Sequence, residues 1–206
     1  MYYKSKVHGV VRIAPKLFGE ELDTAVMAQL KADLEGQIST ELGKVIAIIG
    51  VDNIGEGVII SGDGAAYYKI DFTTIHYLPE LNELVEGEIK DIAKFGAFVD
   101  FGPFEGMVHV SQSMDDFVSF SKSKALQGKQ SGKVLKVGDK VRARIIAISF
   151  KDPKGPKLGL TMRQPYLGKQ EWIDELVKGE AKAAKQAEKE VAKAKESKPK
   201  AAKEKK

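Results

Sequence analysis

Residues 87–102, GEIKDIAKFGAFVDFG, and residues 105–111, EGMVHVS, decide the fold of the second half of the chain. Short apolar runs alternate there with glycines, a pattern typical of short strands joined by tight turns. From residue 85 onward the sequence predicts only such strands, at residues 87–93, 95–101, 107–110, 140–149 and 158–162. Five short strands with glycine-rich turns indicate a small closed β-barrel of OB type.

Flat and basic side chains follow the predicted strands of this barrel. Phe95, Phe98 and His109 fall on adjacent strands. Residues 140–145 alternate basic with apolar side chains, so the basic ones can face water while the apolar ones fill the barrel. The basic residues of this row are Lys140, Arg142 and Arg144. OB folds bind single strands through aromatic rings that stack on bases and cations that hold phosphates.

Two alternatives stay open for the flat side chains. Strict alternation would place Phe95 and Phe98 on opposite faces of one strand, with one ring in the core, whereas a bulge at Gly96 would turn both outward. His109 is either a structural hydrogen-bonding residue or part of the RNA surface.

The motif at residues 87–111 resembles the S-one-type domain, the RNA-binding OB-fold module repeated in the largest bacterial small-subunit ribosomal protein. VGDKV at residues 137–141 and LGLT at residues 158–161 match its fourth and fifth strands. The resemblance implies that Phe95, Phe98 and His109 face RNA. We therefore predict that these three side chains stack on bases of single-stranded RNA and that four basic residues contact phosphates: Lys140, Arg142, Arg144 and Lys157. The polar stretch at residues 111–136 is long for a loop, and it predicts a helical turn or an extra strand.

The front half predicts one helix packed against a sheet. Leu22, Val26, Leu30 and Leu34 recur at four-residue spacing, which indicates an amphipathic helix. Strands are predicted at residues 2–14, 44–51, 57–61 and 67–72, with a turn at residues 52–55 and a hairpin turn at residues 62–64. The resulting β-α-β-β-β unit of residues 1–80 is a small α+β domain.

Two predicted turns of this domain combine exposure with apolar side chains. Residues 15–19 and 53–57 have turn compositions, yet they contain Phe18 and Ile54. Exposed apolar groups on loops indicate a docking surface, unless both side chains fold back as local core. The residues predicted to dock onto a larger assembly are Pro15, Phe18, Asn53, Ile54 and Gly55.

The order of these motifs resembles the larger stalk subunit of archaeal and eukaryotic RNA polymerases, which is called E prime in archaea and is the seventh subunit of polymerase II in eukaryotes. The motifs are RIAPKLFG at residues 12–19, VDNIGEG at 51–57 and GDGAAYY at 62–68, followed by the barrel. The resemblance covers residues 1 to about 176, and it departs at Tyr166, where the archaeal pattern continues with Gly.

This resemblance implies a non-catalytic stalk subunit of the archaeal DNA-directed RNA polymerase. A truncated ribonucleoprotein-like tip domain, residues 1–80, would insert into the core near the clamp, and the chain would pair with the smaller stalk subunit, which is called F in archaea. The OB barrel, residues 81–176, would bind nascent transcript and help promoter opening and elongation. Residues 177–206, rich in Lys, Ala and Glu, are expected to form a frayed helix or a disordered tail.

Composition and charge exclude several classes of site. The chain has no cysteine and three histidines that are far apart in sequence, which argues against a metal centre or a Ser-His-Asp triad. The GDG at residues 62–64 lacks the G-K-[ST] of a phosphate-binding loop, and Asp115 and Asp116 look like solvated charge. We therefore expect no catalytic residues, no metal and no cofactor.

The distribution of charge predicts two domains with different partners, and the lack of visible targeting signals predicts the cellular location. Residues 1–80 have a net charge of −4 and residues 81–165 a net charge of +4, which is typical of two domains with different partners. No signal peptide or membrane-spanning run is visible, so a cytoplasmic protein is expected. The alternative function is a stand-alone RNA-binding protein of translation or RNA decay with one S-one-type domain; a nuclease would need a carboxylate cluster for metal ions.

Overall fold

The computed structural model describes residues 1–121, 124–151 and 155–180. The chain divides into two compact units, each assembled from several stretches of sequence. The first unit contains Met1–Leu84, Asp100–Met107 and Ile145–Gly159. The second contains Val85–Val99, Val108–Arg144 and the residues from Leu160 onward. The domain limits at residues 80 and 176 stay predictions, and residues 181–206 of the predicted tail lie outside the described residues.

An antiparallel four-stranded sheet and one helix form the front part of the chain. The elements are β1 (Tyr2–Ile13), α1 (Leu22–Leu34), β2 (Ile38–Ser39), β3 (Gly43–Ile59) and β4 (Ala66–Tyr77), and a short 3-10 turn at Pro15–Leu17 leads from β1 to α1. The strand order is β1-β4-β3-β2. The predicted α+β architecture is therefore confirmed.

The predicted helix stripe packs on one face of this sheet. Ala25, Val26 and Leu30 of α1 are buried, and Leu34 packs against the same core. The sheet supplies the other side of the core from alternate positions of its three long strands, because successive side chains of a strand face opposite sides. The buried sheet residues are Val11, Ile13, Val45, Ile48, Ile70 and Phe72.

The predicted turn at residues 52–55 is wrong, because these residues lie inside β3. The strand continues through them by shifting its register against β4 between Val51 and Asn53, and again between Ile54 and Gly57. A β-bulge accommodates glycine and polar residues without ending the strand. The hairpin turn predicted at residues 62–64 does connect β3 to β4.

A closed barrel of five strands forms the back part, as predicted. Its strands are β5 (Leu84–Ala93), β6 (Gly96–Asp100) and β7 (Glu105–His109), followed later in the chain by β11 (Lys140–Ser149) and β12 (Lys157–Thr161). The strand order is β12-β7-β6-β5-β11, and an additional pairing of β12 with β11 closes the barrel. A two-residue strand, β13 (Gly168–Lys169), pairs with β11.

The polar stretch between β7 and β11 forms both predicted kinds of structure. It contains the short helix α2 (Val110–Ser113) and three strands: β8 (Val118–Ser121), β9 (Ala125–Gly128) and β10 (Val134–Lys136). These strands pair in the order β10-β9-β8 as a separate antiparallel sheet, which we call the insertion sheet. Leu126 and Leu135 are fully buried in it, so the insertion sheet has its own apolar side.

At two positions of the second unit the local backbone favours glycine. A Cβ at Gly96 would lie 2.1 Å from the carbonyl oxygen of Val108, so only glycine allows β6 to begin there. Tyr166 has a φ of 62°, in the left-handed region that favours glycine. The residue that departs from the archaeal pattern therefore stands where glycine has the lower conformational cost.

The last described segment is a helix over residues 170–180, which we call α3. Ile173 is buried, and the Trp172 ring lies 5.2 Å from the Lys133 ammonium, in a cation–π contact. None of the helices in the described ranges is long and apolar enough to cross a membrane.

Candidate nucleic-acid interface

The two phenylalanines of the barrel motif lie side by side. Phe95 occupies the turn between β5 and β6 and is 53% exposed, and Phe98 is half-buried on β6. Their ring centroids are 6.0 Å apart at an interplanar angle of 89°, an edge-to-face contact. Neither ring is buried in the core. Strict alternation does not apply to Phe95, because β6 starts at Gly96, one residue later than predicted.

His109 ends β7 and caps the first turn of α2. Its Nδ1 accepts a hydrogen bond from the backbone N–H of Ser111 at 3.3 Å and lies 2.8 Å from the Ser111 hydroxyl. These hydrogen bonds assign the proton of the neutral ring to Nε2, which is then a donor. The backbone N–H of Val110 donates to the carbonyl oxygen of Phe95 at 2.9 Å. The structure thus brings Phe95, Phe98 and His109 together.

The basic row on β11 has the predicted alternation. Val141, Ala143 and Ile145 are buried, Lys140 is exposed, and Arg142 and Arg144 are half-buried. The strand order places β5 between β6 and β11. The cations therefore stand two strands from Phe98, and not on a strand adjacent to the aromatic ones.

Arg142 is already paired in this structure. Its Nη2 lies 2.7 Å from Oε1 of Glu86 and its Nε donates to the same oxygen at 2.8 Å. The Nε of Arg144 is buried and has no hydrogen-bond partner among the described residues. The sequence prediction missed Glu86, because a pairing between β5 and β11 joins residues 56 positions apart.

Lys157 is placed differently from the other six predicted RNA residues. It begins β12 and is exposed, and it belongs to the first compact unit. Phe95, Phe98 and His109, together with the β11 row, belong to the second unit. The structure does not bring Lys157 into one compact unit with them.

The adjacent carboxylates Asp115 and Asp116 have structural partners. Asp116 accepts hydrogen bonds from the backbone N–H and hydroxyl of Ser131 and from the backbone N–H groups of Gln130 and Phe117, and these bonds hold the pKa of Asp116 below its usual range. Asp115 forms an ion pair with Arg163 at 2.7 Å. No group of three or more potential metal-binding side chains occurs among the residues that the structure describes.

The predicted docking residues separate into two sets. Phe18 is 52% exposed and Pro15 is exposed beside it, as predicted. Ile54 is instead half-buried and packs against the helix–sheet core, although Asn53 and Gly55 are exposed. The prediction that Ile54 is an exposed turn residue is wrong, because β3 continues through this position and places its side chain on the α1 side.

In contrast to Ile54, several apolar residues at and after the end of β3 are exposed. Ile59 is 72% exposed and lines a cavity of about 320 Å³ together with Phe18 and Leu22. Val58 of β3 and Ile60, the residue after the strand, are also exposed. The sequence signal for this surface was the apolar run GVII at residues 57–60, which the prediction used only as a strand.

The hairpin beside this cavity is held by one carboxylate. Asp63 accepts from Arg12 at 2.7 and 3.0 Å and from the Tyr67 hydroxyl at 2.6 Å. The Arg12 guanidinium, followed by Tyr67, holds the pKa of Asp63 well below its usual range. Because Arg12 lies on β1, this clamp fixes the turn between β3 and β4 to the edge strand of the sheet.

Two known domain families match the chain, one in its front part and one in its back part. Residues 8–64 match the SHS2 domain found in the N terminus of Rpb7p/Rpc25p/MJ0397. Residues 78–152 match the S1 RNA binding domain. The second match is the S-one-type domain that the motif at residues 87–111 resembles.

Curated relatives extend the similarity to most of the chain. It is 41% identical over 180 residues to DNA-directed RNA polymerase subunit Rpo7 of Saccharolobus solfataricus, covering 86% of this chain and 100% of that protein. It is 28% identical over 116 residues to DNA-directed RNA polymerase II subunit 7 of Arabidopsis thaliana, covering 56% and 66%. It is 24% identical over 165 residues to DNA-directed RNA polymerase III subunit RPC8 of Bos taurus, covering 76% and 81%.

Proposed function

Since the chain belongs to the Rpo7 family of DNA-directed RNA polymerase subunits, we propose that it is the larger stalk subunit of its polymerase and binds nascent single-stranded RNA. The observation that carries this proposal is 41% identity over the full length of an Rpo7 subunit. The chain is an accessory subunit and not catalytic alone. Nucleotide transfer belongs to the large core subunits, and this one aids promoter opening and elongation.

The proposed RNA surface is the exposed side of the barrel. Phe95, Phe98 and His109 stack on bases, and the Nε2–H of His109 donates a hydrogen bond to a base or phosphate. The β11 row contacts phosphates, and Arg144 contributes a guanidinium whose Nε lacks a partner among the described residues. Lys157 is proposed as a further phosphate contact from the first unit.

The proposed docking surface is centred on Phe18. Phe18, Leu22 and Ile59 line one cavity, and Pro15 lies at the start of the same segment. A mainly apolar recess with an exposed aromatic ring in its lining fits an interface with another protein. We propose that this surface inserts into the polymerase core near the clamp, with the exposed residues Asn53 and Gly55 as further contacts.

A second protein partner is proposed for the face of the sheet opposite α1. Val10 of β1 pairs with Lys69 of β4, and Val58 of β3 pairs with Tyr67 of β4. The apolar side chains of Val10 and Val58 are exposed on this face. We propose that the smaller stalk subunit covers this face and forms a heterodimer with the chain in the cytoplasm.

Affinity purification of the tagged full chain from its native lysate, followed by mass spectrometry, tests the assembly. We expect the core polymerase subunits and one small partner in constant proportion. Co-expression with that partner should give a heterodimer, whereas the chain alone should aggregate or expose apolar surface. Recovery of ribosomal or RNA-decay proteins in place of polymerase would favour the stand-alone RNA-binding alternative.

A further inference from the structure

A cavity next to His109 has no role in the RNA surface described so far. Its volume is about 460 Å³, within the range of roughly 300–1,000 Å³ that is typical of small-molecule sites. Val110 and Ser111, the two residues after His109, lie in its wall, and Val118 of the insertion sheet lines another side. The cavity therefore continues the surface of Phe95, Phe98 and His109 toward the insertion sheet.

Phe117 presents an exposed aromatic ring at this cavity from a hydrogen-bonded backbone. Its side chain is 73% exposed. Its backbone is held on both sides, because its N–H donates to Asp116 at 2.6 Å and its carbonyl oxygen accepts from the N–H of Lys129 at 2.9 Å. A ring on a pre-ordered backbone loses little conformational freedom when it stacks, so it suits binding more than packing.

A second flat group lines the same cavity. Arg163 is held by Asp115, which accepts from its Nε at 2.9 Å and lies 2.7 Å from its Nη2. A guanidinium held in its own plane offers its face for stacking. Both contacts recorded among the described residues end on Oδ1 of Asp115, so Oδ2 can accept a hydrogen bond from a ligand.

The remaining lining supplies an apolar wall and one amide. Met114 is buried, and Val110 and Val118 lie beside it. Gln130 brings a side-chain amide to the cavity, and its backbone N–H is anchored by Asp116 at 2.9 Å. An amide can donate to and accept from the edge of a nucleobase.

Charge decides which part of a nucleotide fits here. The ionisable lining groups are Asp115, Asp116 and Arg163, which together carry a net negative charge. Such a lining repels a phosphate but can accept a hydrogen bond from an amino group. Aromatic and guanidinium faces, an apolar wall and carboxylate acceptors match a nucleobase with an exocyclic amino group, and a purine offers the larger stacking area.

We propose that this cavity binds one unstacked purine base with an exocyclic amino group, adenine above all, from the single-stranded RNA that the barrel holds. The ring lies against Phe117 and Arg163, and Asp115 accepts from the amino group. Uracil lacks the amino group, so the cavity gives the protein a preference for adenylate over uridylate. This inference rests on the proposed RNA-binding function and deepens it.

The test compares two labelled probes, oligoadenylate and oligouridylate of about 12 nucleotides, by fluorescence anisotropy with the full chain in its heterodimer. The wild-type protein should bind oligoadenylate more tightly. Phe117→Ala should weaken oligoadenylate binding about ten-fold, because stacking contributes ~1–3 kcal/mol per base, and oligouridylate binding about two-fold or less. Phe117→Trp should retain the preference.

Phe120→Ala is the matched control, since Phe120 is an exposed phenylalanine on β8 that does not line the cavity. It should leave both affinities unchanged. Equal losses for both probes in Phe117→Ala, or no loss while Phe98→Ala weakens both, would overturn the base-selective site. Loss of polymerase assembly with unchanged RNA binding would assign Phe117 to a protein interface instead. If the wild-type heterodimer binds neither probe, the proposed RNA function itself fails.

Discussion

The tip cavity of the first unit and the aromatic surface of the second unit expose similar rings in different surroundings. Phe18 is 52% exposed beside Leu22 and Ile59, in a recess lined mainly by apolar side chains. Phe95 is 53% exposed beside Phe98 and His109, on a barrel that also presents a basic row. Equal exposure therefore does not identify the partner. We propose different partners for the two surfaces on the basis of the neighbouring groups, because apolar recesses fit proteins, whereas rings beside cations fit RNA.

The largest expected effect concerns the close backbone approach at Gly96, where β6 of the barrel begins. Gly96→Ala should lower the free energy of unfolding by about 3 kcal/mol, since its Cβ would meet the Val108 carbonyl oxygen at 2.1 Å. Gly50→Ala in β3 is the control, because nothing lies within 4 Å of its added Cβ. Urea denaturation measures both, and equal midpoints for the two variants would contradict the close approach.

The next effect concerns the tip cavity. Replacing Phe18 and Ile59 together by Ser should weaken binding to the core polymerase by about 2–3 kcal/mol, or roughly 30- to 160-fold, because two exposed apolar groups would no longer be buried at the interface. Heterodimer formation and RNA binding should not change.

Ile54 sharpens this prediction. Ile54→Ser should destabilise the fold itself, because Ile54 packs against the helix–sheet core. Native gel shifts with purified core enzyme report docking, and thermal unfolding reports the fold. Full assembly by the Phe18 and Ile59 double variant would show that the tip cavity is not the docking surface.

A third prediction separates stacking from charge on the barrel. Phe98→Ala should weaken RNA binding about ten-fold and leave the salt dependence nearly unchanged, because stacking releases no counterions. The slope of log K against log salt should be roughly −2 to −3 for the wild type. Arg142→Ala should make this slope less steep by about 0.7, because one phosphate contact is lost. A chain that ends at Gly179 should behave as the full chain does, and loss of binding on this truncation alone would assign binding to the lysine-rich tail.

A smaller effect follows from the ion pair that occupies Arg142. Glu86→Gln should strengthen RNA binding about two-fold, because it frees the guanidinium for a phosphate and removes a negative charge from the surface. Glu88→Gln removes the same charge from β5 without an ion pair to Arg142, so it is the matched control. Identical gains in the two variants would mean that the pair does not compete with RNA.

The smallest effect concerns the clamp at Asp63, a half-buried carboxylate in the front part of the chain. Its depressed pKa means that the clamp stabilises the fold fully above the pKa of an unfolded Asp, about 3.9, and that this contribution is lost as the pH falls toward the lower folded pKa. Asp63→Asn should therefore lower the melting temperature slightly at pH 7. The difference from wild type should shrink below about pH 4, and a difference independent of pH would exclude the charge as its cause.

Local periodicity accounts for the features that sequence alone predicted. The stripe of Val26, Leu30 and Leu34 defines α1 wherever the helix packs, because residues at this spacing share a face. The alternation at residues 140–145 likewise defines the two sides of β11. Glycines in the barrel motif add to this, since they mark turns and close approaches that no other residue allows.

The sequence by itself determined the helix-on-sheet and barrel architectures, and it supplied the residue types on which the proposed RNA surface rests. Only the tertiary structure decided that Ile54 is packed while Ile59 is exposed, that Glu86 holds Arg142, and that Phe117 and Arg163 line one cavity. The physical reason is the distance along the chain between the residues that interact. Hydrophobic periodicity depends only on residues within one helix or strand. Strand register and ion pairs depend on which distant segments pair. A single bulge or an inserted sheet therefore changes the neighbours of each side chain.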